Sequence, residues 1–320
     1  MPNLNVAVLA PPGYSEGLGK KGTSTDITFY NLKRDQTTVT FMEPSKYPER
    51  LAPLFFALSS AREVLLVPSE FNSQFGEEVV ALDALGKRDG YLALGGSLPR
   101  GKVLAAVKGT AVEGYEIVSD DRNVLREKLL ADATRLSPSS GSGSAGTVVV
   151  DHAFNVKGVG TVALGFVASG QLKVHDELKS LPALKSAQVR SIQKHDDDFD
   201  SASEGERVGL ALKNIDVADL ERGTVLTIDG ALKVVDSWEA EAQLAKYWTT
   251  PLKEGMVVHL GHWMQFVSAR ITSIKPSNDP KRPTLAIKSE KPLVYPAGDK
   301  ALLAYLEGGK LRITGTFSLP

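Results

Sequence analysis

The stretch from Val6 to Asp26, VAVLAPPGYSEGLGKKGTSTD, carries the residue types best suited to chemistry in this chain. A short apolar run leads into glycines and lysines, the order in which a phosphate-binding loop is built. Such a loop, G-x-x-x-x-G-K-[ST], uses backbone N–H groups to cradle phosphates, its Lys to neutralise them and its hydroxyl to hold Mg²⁺. Here Gly19-Lys20 keeps the order, but Tyr14 stands at the first glycine position and Lys21 at the hydroxyl position. Gly19, Lys20, Lys21 and Thr25 therefore read as the relic of a nucleotide site, its lysines able to attract phosphate as point charges only.

The remaining candidates are histidines and acids. His259-x-x-His262 has a metal-like spacing, but its surroundings read as strand and turn with no paired carboxylate, so no metal site is expected. The Asp196–Asp198 run lacks the central glycine of a calcium loop and reads as a solvated loop. There is no G-x-S-x-G nucleophile motif, and the absence of cysteine excludes disulfides, thiol catalysis and thiolate metal ligands.

The elements that must position these residues fall into three parts. The chain has 320 residues, enough for two or three domains of ~100–150 residues. No apolar run approaches the ~20 residues of a bilayer span, and the start lacks a basic, then apolar, secretory signal, so no membrane partner and a cytoplasmic location are expected. Residues 138–146 form a Gly/Ser-rich linker. Before it, LNVAVLA, EVLLVPS, YLALGGS and KVLAAVKG read as buried strands, alternating with helices at YPERLAPLFFALSSA, GEEVVALDALGKRDG and DRNVLREKLLADA. That alternation predicts a parallel α/β sheet over residues 1–137. After the linker, short β-branched runs divided by Gly and Asn predict two all-β barrels, at residues 147–236 and 237–320.

Net charge is −1, but it is unevenly spread: residues 148–239 carry 10 Lys/Arg against 15 Asp/Glu, and residues 240–320 carry 11 against 6. A basic last domain is suited to an RNA backbone, since phosphate contacts give sequence-independent affinity.

The run DHAFNVKGVGTVALGFVASGQLKVHDEL, followed by GERVGLALKN and ERGTVL, resembles the second domain of the translational GTPases, with the wording AFNVKGVGTV closest to the SelB type. Its glycines fall in register with alternating apolar positions, and Gly158 and Gly160 flank a bend that needs unusual backbone freedom. The resemblance implies a degenerate G domain ahead of two barrels. It also implies that the nucleotide motifs should be present, and they are not. In MEPSK, Met42 stands for the magnesium-linked Asp, Ser45 for the γ-phosphate-reading Gly and Lys46 for the water-aligning His. GGSLPRG lacks the guanine-reading Asn and Asp. The expectation is a pseudo-GTPase without GTP or Mg²⁺ as cofactor, resembling archaeal SelB-like proteins with a degenerate G domain. Its expected partners are tRNA, the ribosome or another translation factor. A protein-interaction regulator competing with an active factor, or a divergent GTPase with displaced ligands, are the alternatives.

From the same resemblance, the second domain should hold a pocket for the aminoacylated 3′ end of tRNA. Asp151 and His152 open that barrel and are expected to line a concave site facing the third domain, with His195 beside it and Arg222 in a largely structural place. Because neighbours on a strand point to opposite faces, both can face one cavity only through a bulge.

Overall fold

In the computed structural model, which describes residues 2–95, 98–136 and 145–320, the first unit is a sheet with helices on both faces. Its strands are β1 (Asn3–Leu9), β2 (Lys20–Ser24), β3 (Thr28–Arg34), β4 (Thr37–Glu43), β5 (Glu63–Leu66), β6 (Gly90–Leu94) and β7 (Glu116–Ser119). They lie in the order β2-β3-β4-β1-β5-β6-β7. The run of buried residues in β1 is what a strand covered on both faces requires.

The sheet is mixed rather than wholly parallel. β3 and β4 are joined through a tight turn with Asp35 at φ 52°, and so short a connection can form only an antiparallel pair. β2 adds a further antiparallel edge strand.

The helices are α1 (Ala52–Ser60), α2 (Ser73–Ala84), α3 (Arg100–Val107) and α4 (Arg122–Arg135). Pro53 sits in the first turn of α1, where its missing N–H has no partner to lose. The Asn72 side chain caps α2 by accepting from the Phe75 N–H at 2.9 Å, and Asp121 caps α4 in the same way. KVLAAVKG, expected as a strand, is α3. Pro99 immediately precedes it, and of its residues only Val103 and Val107, one helical turn apart, are buried.

The second unit comprises β8 (Thr147–Val156), β9 (Gly160–Ser169), β10 (Gln171–Lys173), β11 (Glu177–Leu181), β12 (Lys185–Lys194), β13 (Asp197–Phe199), β14 (Ser201–Ser203), β15 (Arg207–Lys213) and β16 (Val225–Thr227). Pairing of β11 with β12 closes the barrel. Gly158 and Gly160 have φ of +83° and +97°, which explains both glycines at the β8–β9 bend. The third unit is a closed barrel of β17 (Lys233–Leu244), β18 (Val257–His262), β19 (Gln265–Lys275), β20 (Thr284–Tyr295), β21 (Lys300–Ala304) and β22 (Ile313–Ser318).

The expected boundary at residues 236/237 falls inside β17, because Val234 and Val235 already pair with Val294 and Leu293 of that barrel. The expected linker lies outside the described residues over 138–144. Its last residue, Gly146, belongs to the second unit, accepting from the Ile228 N–H at 3.0 Å.

One apolar cluster runs through all three units, joining Phe55 and Leu58 of α1 to Val149 and Phe166 of the first barrel and Met264 and Ile313 of the second. α1 presses so closely on β18 that a Cβ at Gly261 would lie 2.8 Å from the Phe55 ring. Arg312 closes the other side, bonding Glu77 at 2.5 Å and the Pro48 carbonyl at 3.0 Å.

Candidate functional site

After β1 the chain turns at Pro11-Pro12-Gly13, with Gly13 at φ 79°, into a single 3₁₀ turn over Tyr14–Gly17 and then β2. No α-helix follows the loop, so there is no aligned stack of N–H groups and helix dipole to hold a phosphate chain. Lys20 and Lys21 are not in the loop, and Gly19 is its last residue, donating to the Ser15 carbonyl at 3.1 Å. Gly19 is a glycine because a Cβ there would come within 2.9 Å of the Asn31 backbone, and the two lysines stand exposed on β2. The structure thus separates the two lysines and Thr25 from the turn after β1, while Gly19 stays bonded to it.

The N–H groups left in that turn are engaged by the protein itself. Glu43, buried at the end of β4, accepts from the Gly13 N–H at 2.6 Å and the Ser15 N–H at 3.1 Å. Met42, aligned by sequence with the magnesium-linked carboxylate, lies wholly in the core, and it is the neighbouring Glu43 that turns toward the loop. Beside it the Tyr14 hydroxyl donates to Asp120, while the Arg122 guanidinium sits 4.0 Å above the Tyr14 ring. Burial, and then the bond to Asp120, push the Tyr14 phenol well above its ordinary range. The cleft that remains at this end of the sheet is about 270 Å³, below the ~300 Å³ at which small-ligand pockets begin. These residues do not fit a magnesium-bound guanine nucleotide.

Thr25 and Asp26 instead meet the first barrel. Arg222 donates through Nη1 to both carboxylate oxygens of Asp26, at 2.7 and 2.8 Å, and through Nε to Asp151 Oδ1 at 3.1 Å. Its Nη2 lies 3.4 Å from the Thr25 hydroxyl. Asp151 is 2% exposed and lies at a register shift between Val150 and His152 in the β8–β9 pair. That irregularity brings Asp151 and His152 to one shallow cleft of about 420 Å³, shared with Thr25, Asp26 and Arg50. The concave site therefore faces the N-terminal unit, not the third. His152 is exposed at its rim, its ring 6.3 Å from that of Phe154.

His195 occupies a different place. It sits at the β12–β13 turn with φ 50° and lines a cleft of about 950 Å³ between β2–β3 and the first barrel. Burial, with Arg207 and Lys33 nearby, holds its imidazole below the ordinary range.

Arg207 is the residue that sequence reasoning missed. Its guanidinium lies 4.0 Å over the Phe29 ring, and its Nε and Nη2 are buried without a partner. Burial pulls its pKa down, against the opposing charge of Asp151. Parity with Gly209 in GERVGLAL places Arg207 on the outer face of the barrel, but nothing in the sequence says that the N-terminal unit covers that face.

The two histidines with metal-like spacing part company. His262 bonds Asp299 at 2.9 Å through Nε2, whereas His259 stacks on Phe266 with ring centroids 5.1 Å apart. Among the described residues, no group of three His, Asp or Glu side chains is placed to hold a metal ion. No helix among them is long and apolar enough to cross a membrane.

This architecture has close counterparts. The family described as Elongation factor Tu domain 2 matches residues 160–227, within the first barrel. An uncharacterized protein of Methanocaldococcus jannaschii is 35% identical over 308 residues, covering 96% of both chains. The selenocysteine-specific elongation factor of the same organism is 26% identical, covering 90% of this chain and 68% of its own length. The chain belongs to the translational GTPase family, in its SelB-type branch. The fold agrees: translation elongation factor SelB from Methanococcus maripaludis, solved with the GTP analogue GPPNHP, superposes with a TM-score of 0.82 over 99% of this chain and 79% of that one, at 23% identity. In this SelB-type chain Tyr14 stands in the turn after β1, and the Glu43 carboxylate reaches that turn from the end of β4.

Proposed function

We propose that this SelB-type chain is a homologue of the elongation factors that binds tRNA, or another component of the translation machinery, without binding or hydrolysing GTP. The observation that carries the reading is the Glu43 carboxylate on the Gly13 and Ser15 N–H groups, which brings a negative charge to the turn where the family's phosphates would be held. The missing helix after β1 and the 270 Å³ remnant of the cleft support it further. The binding half of the reading rests on the two clefts between the N-terminal unit and the first barrel. His152, Asp151 and Arg222 belong to one, His195 and Arg207 to the other.

Titration calorimetry with GTP and GDP in Mg²⁺ tests the first half: binding should be no tighter than about millimolar, or ~4 kcal/mol. Micromolar, Mg²⁺-dependent binding would overturn it. For the second half, sequencing of RNA that co-purifies with the chain should return tRNA; a nucleic-acid-free preparation that also fails to bind tRNA at low salt would reject it.

A further inference from the structure

We infer that the cavity of about 870 Å³ where the three units meet is a binding site for a small zwitterion carrying an aromatic side chain, of the amino-acid or dipeptide class. It shares no lining residue with the clefts that hold His152 and His195. Asn3 and Asn5 of β1 and Arg62, just before β5, stand on its wall. The cavity therefore lies at the amino ends of those parallel strands, away from the carboxyl ends at which α/β sheets hold nucleotides.

The floor is aromatic. Trp263 and Met264 form the two-residue turn between His262 and Gln265 of the β18–β19 pair, and Trp263 has φ 50°. That place favours glycine, so a large ring is held there against local preference. Ser59 of α1 donates to the Trp263 carbonyl at 2.6 Å, and the His262 ring centroid lies 4.5 Å from that of Trp263. Trp263 stays half-buried on a lining that also carries Phe166 and Phe199.

The walls carry opposite charge. Lys194 is paired with Glu206 at 2.9 Å and Arg135 with Asp132 at 3.1 Å. Among the described residues this leaves Arg62 unpaired on the N-terminal unit, and Asp200 and Glu204 unpaired on the first barrel, all three exposed. The Asn3 and Asn5 amides both donate to the Gly205 carbonyl, at 2.8 and 2.7 Å, which leaves the buried Asn5 Oδ1 without a donor. A carboxylate suits the Arg62 guanidinium, an ammonium suits the two acids, and a flat ring suits the floor. A nucleoside phosphate would set its charge among unpaired acids that outnumber the unpaired cation, and a polyamine would leave Arg62 unserved. The volume falls within the ~300–1,000 Å³ of small-ligand pockets.

Trp238 and Trp248 are each 4% exposed, so Trp263 is the tryptophan placed to report on the cavity. The test follows tryptophan emission of the full chain during titration with phenylalanyl-phenylalanine, its N-acetyl and C-terminal amide forms, and adenosine monophosphate. The free dipeptide should shift the emission saturably. Blocking either end should weaken binding about tenfold, as for one lost hydrogen bond to a charged group. Arg62→Ala should weaken the free dipeptide by a similar factor and leave the amide unchanged. Asp200→Asn/Glu204→Gln should do the same while leaving the N-acetyl form unchanged. These three side chains are exposed, so both variants should keep the wild-type melting temperature. Trp263→Phe should lose the emission change while calorimetry still detects the dipeptide. No saturable change at about millimolar dipeptide, equal binding of the blocked forms, or tighter binding of adenosine monophosphate would overturn the inference. An emission change that survives in Trp263→Phe would overturn the placement in this cavity. All of these outcomes are independent of whether the chain binds RNA.

Discussion

Arg222 of the first barrel is bonded to both carboxylate oxygens of Asp26 in the N-terminal unit, at 2.7 and 2.8 Å, and to Asp151 of its own barrel at 3.1 Å. One guanidinium therefore ties two carboxylates from different domains. Thr25 and Asp26 follow β2, and the Arg222 cation holds that segment against the barrel.

Arg222→Met should expose what that tie is worth. Removing it leaves Asp151, almost wholly buried, beside Asp26 without its hydrogen-bonded cation, and such losses typically cost about 3–5 kcal/mol. Denaturant unfolding of Arg222→Met and of Arg222→Met/Asp151→Asn measures it. The double variant should recover part of the loss, and identical values for the two would mean the charge of Asp151 is of no consequence.

Glu43→Gln keeps the shape of the side chain but loses the charge and turns an amide N–H₂ toward one of the two backbone donors. A loss of about 1–3 kcal/mol is expected on thermal or denaturant unfolding. Glu43→Gly, which empties the turn, should still show no micromolar affinity for GTP, because the helix that would carry the phosphates is missing from the chain trace between β1 and β2.

The buried carboxyl of Glu78 is pushed up to about 7, mostly by burial, with the charge of Glu77 adding and the bond from Gln74 opposing. A folded-state pKa above the unfolded value means that its contribution to stability is complete at low pH and is lost as pH rises through about 7. Glu78→Gln, which cannot ionise, should therefore be nearly neutral at pH 4 and stabilise by up to about 3 kcal/mol at pH 8. Melting temperatures across that range check both the sign and the window.

Arg207→Gln and His152→Ala separate the two clefts. Arg207 has buried, unpartnered N–H groups, so its replacement should weaken aminoacylated tRNA more than deacylated tRNA, by about 1–3 kcal/mol. His152 is exposed at its rim, and His152→Ala should show the same selectivity to a smaller degree. Filter binding with both tRNA forms reads this directly, and equal losses for the two forms would mean that the side chains support the fold instead.

Much of this arrangement was legible from residues alone. The glycines at 158 and 160 lie at positive φ, the β-branched alternation gives closed barrels, and the N-terminal helices α1, α2 and α4 follow their apolar spacing. The misses have tertiary causes. β2 has the sequence KKGTS, with almost no buried face, and becomes a strand because β3 offers it an edge. Glu43 is an unremarkable acid at a strand end until the loop folds over it. Arg207 lies on an outward-facing strand position, its guanidinium stacked on the ring of Phe29, 178 residues earlier in the chain in a different domain. No local pattern reports an event of that kind.

The apolar cluster that threads α1, Val149 and Phe166 of the first barrel, and Met264 and Ile313 of the second has a calorimetric consequence. Elements that share buried surface lose it together, so no unit can melt without stripping the others of partners. Scanning calorimetry should give a single endotherm whose van't Hoff and calorimetric enthalpies agree, as for one cooperative block. A fragment ending at residue 136 would leave Phe55 and Phe56 without the Phe266 ring they pack on and should self-associate. The expected unit of folding is therefore the whole triad of domains, across boundaries that composition marks as breaks.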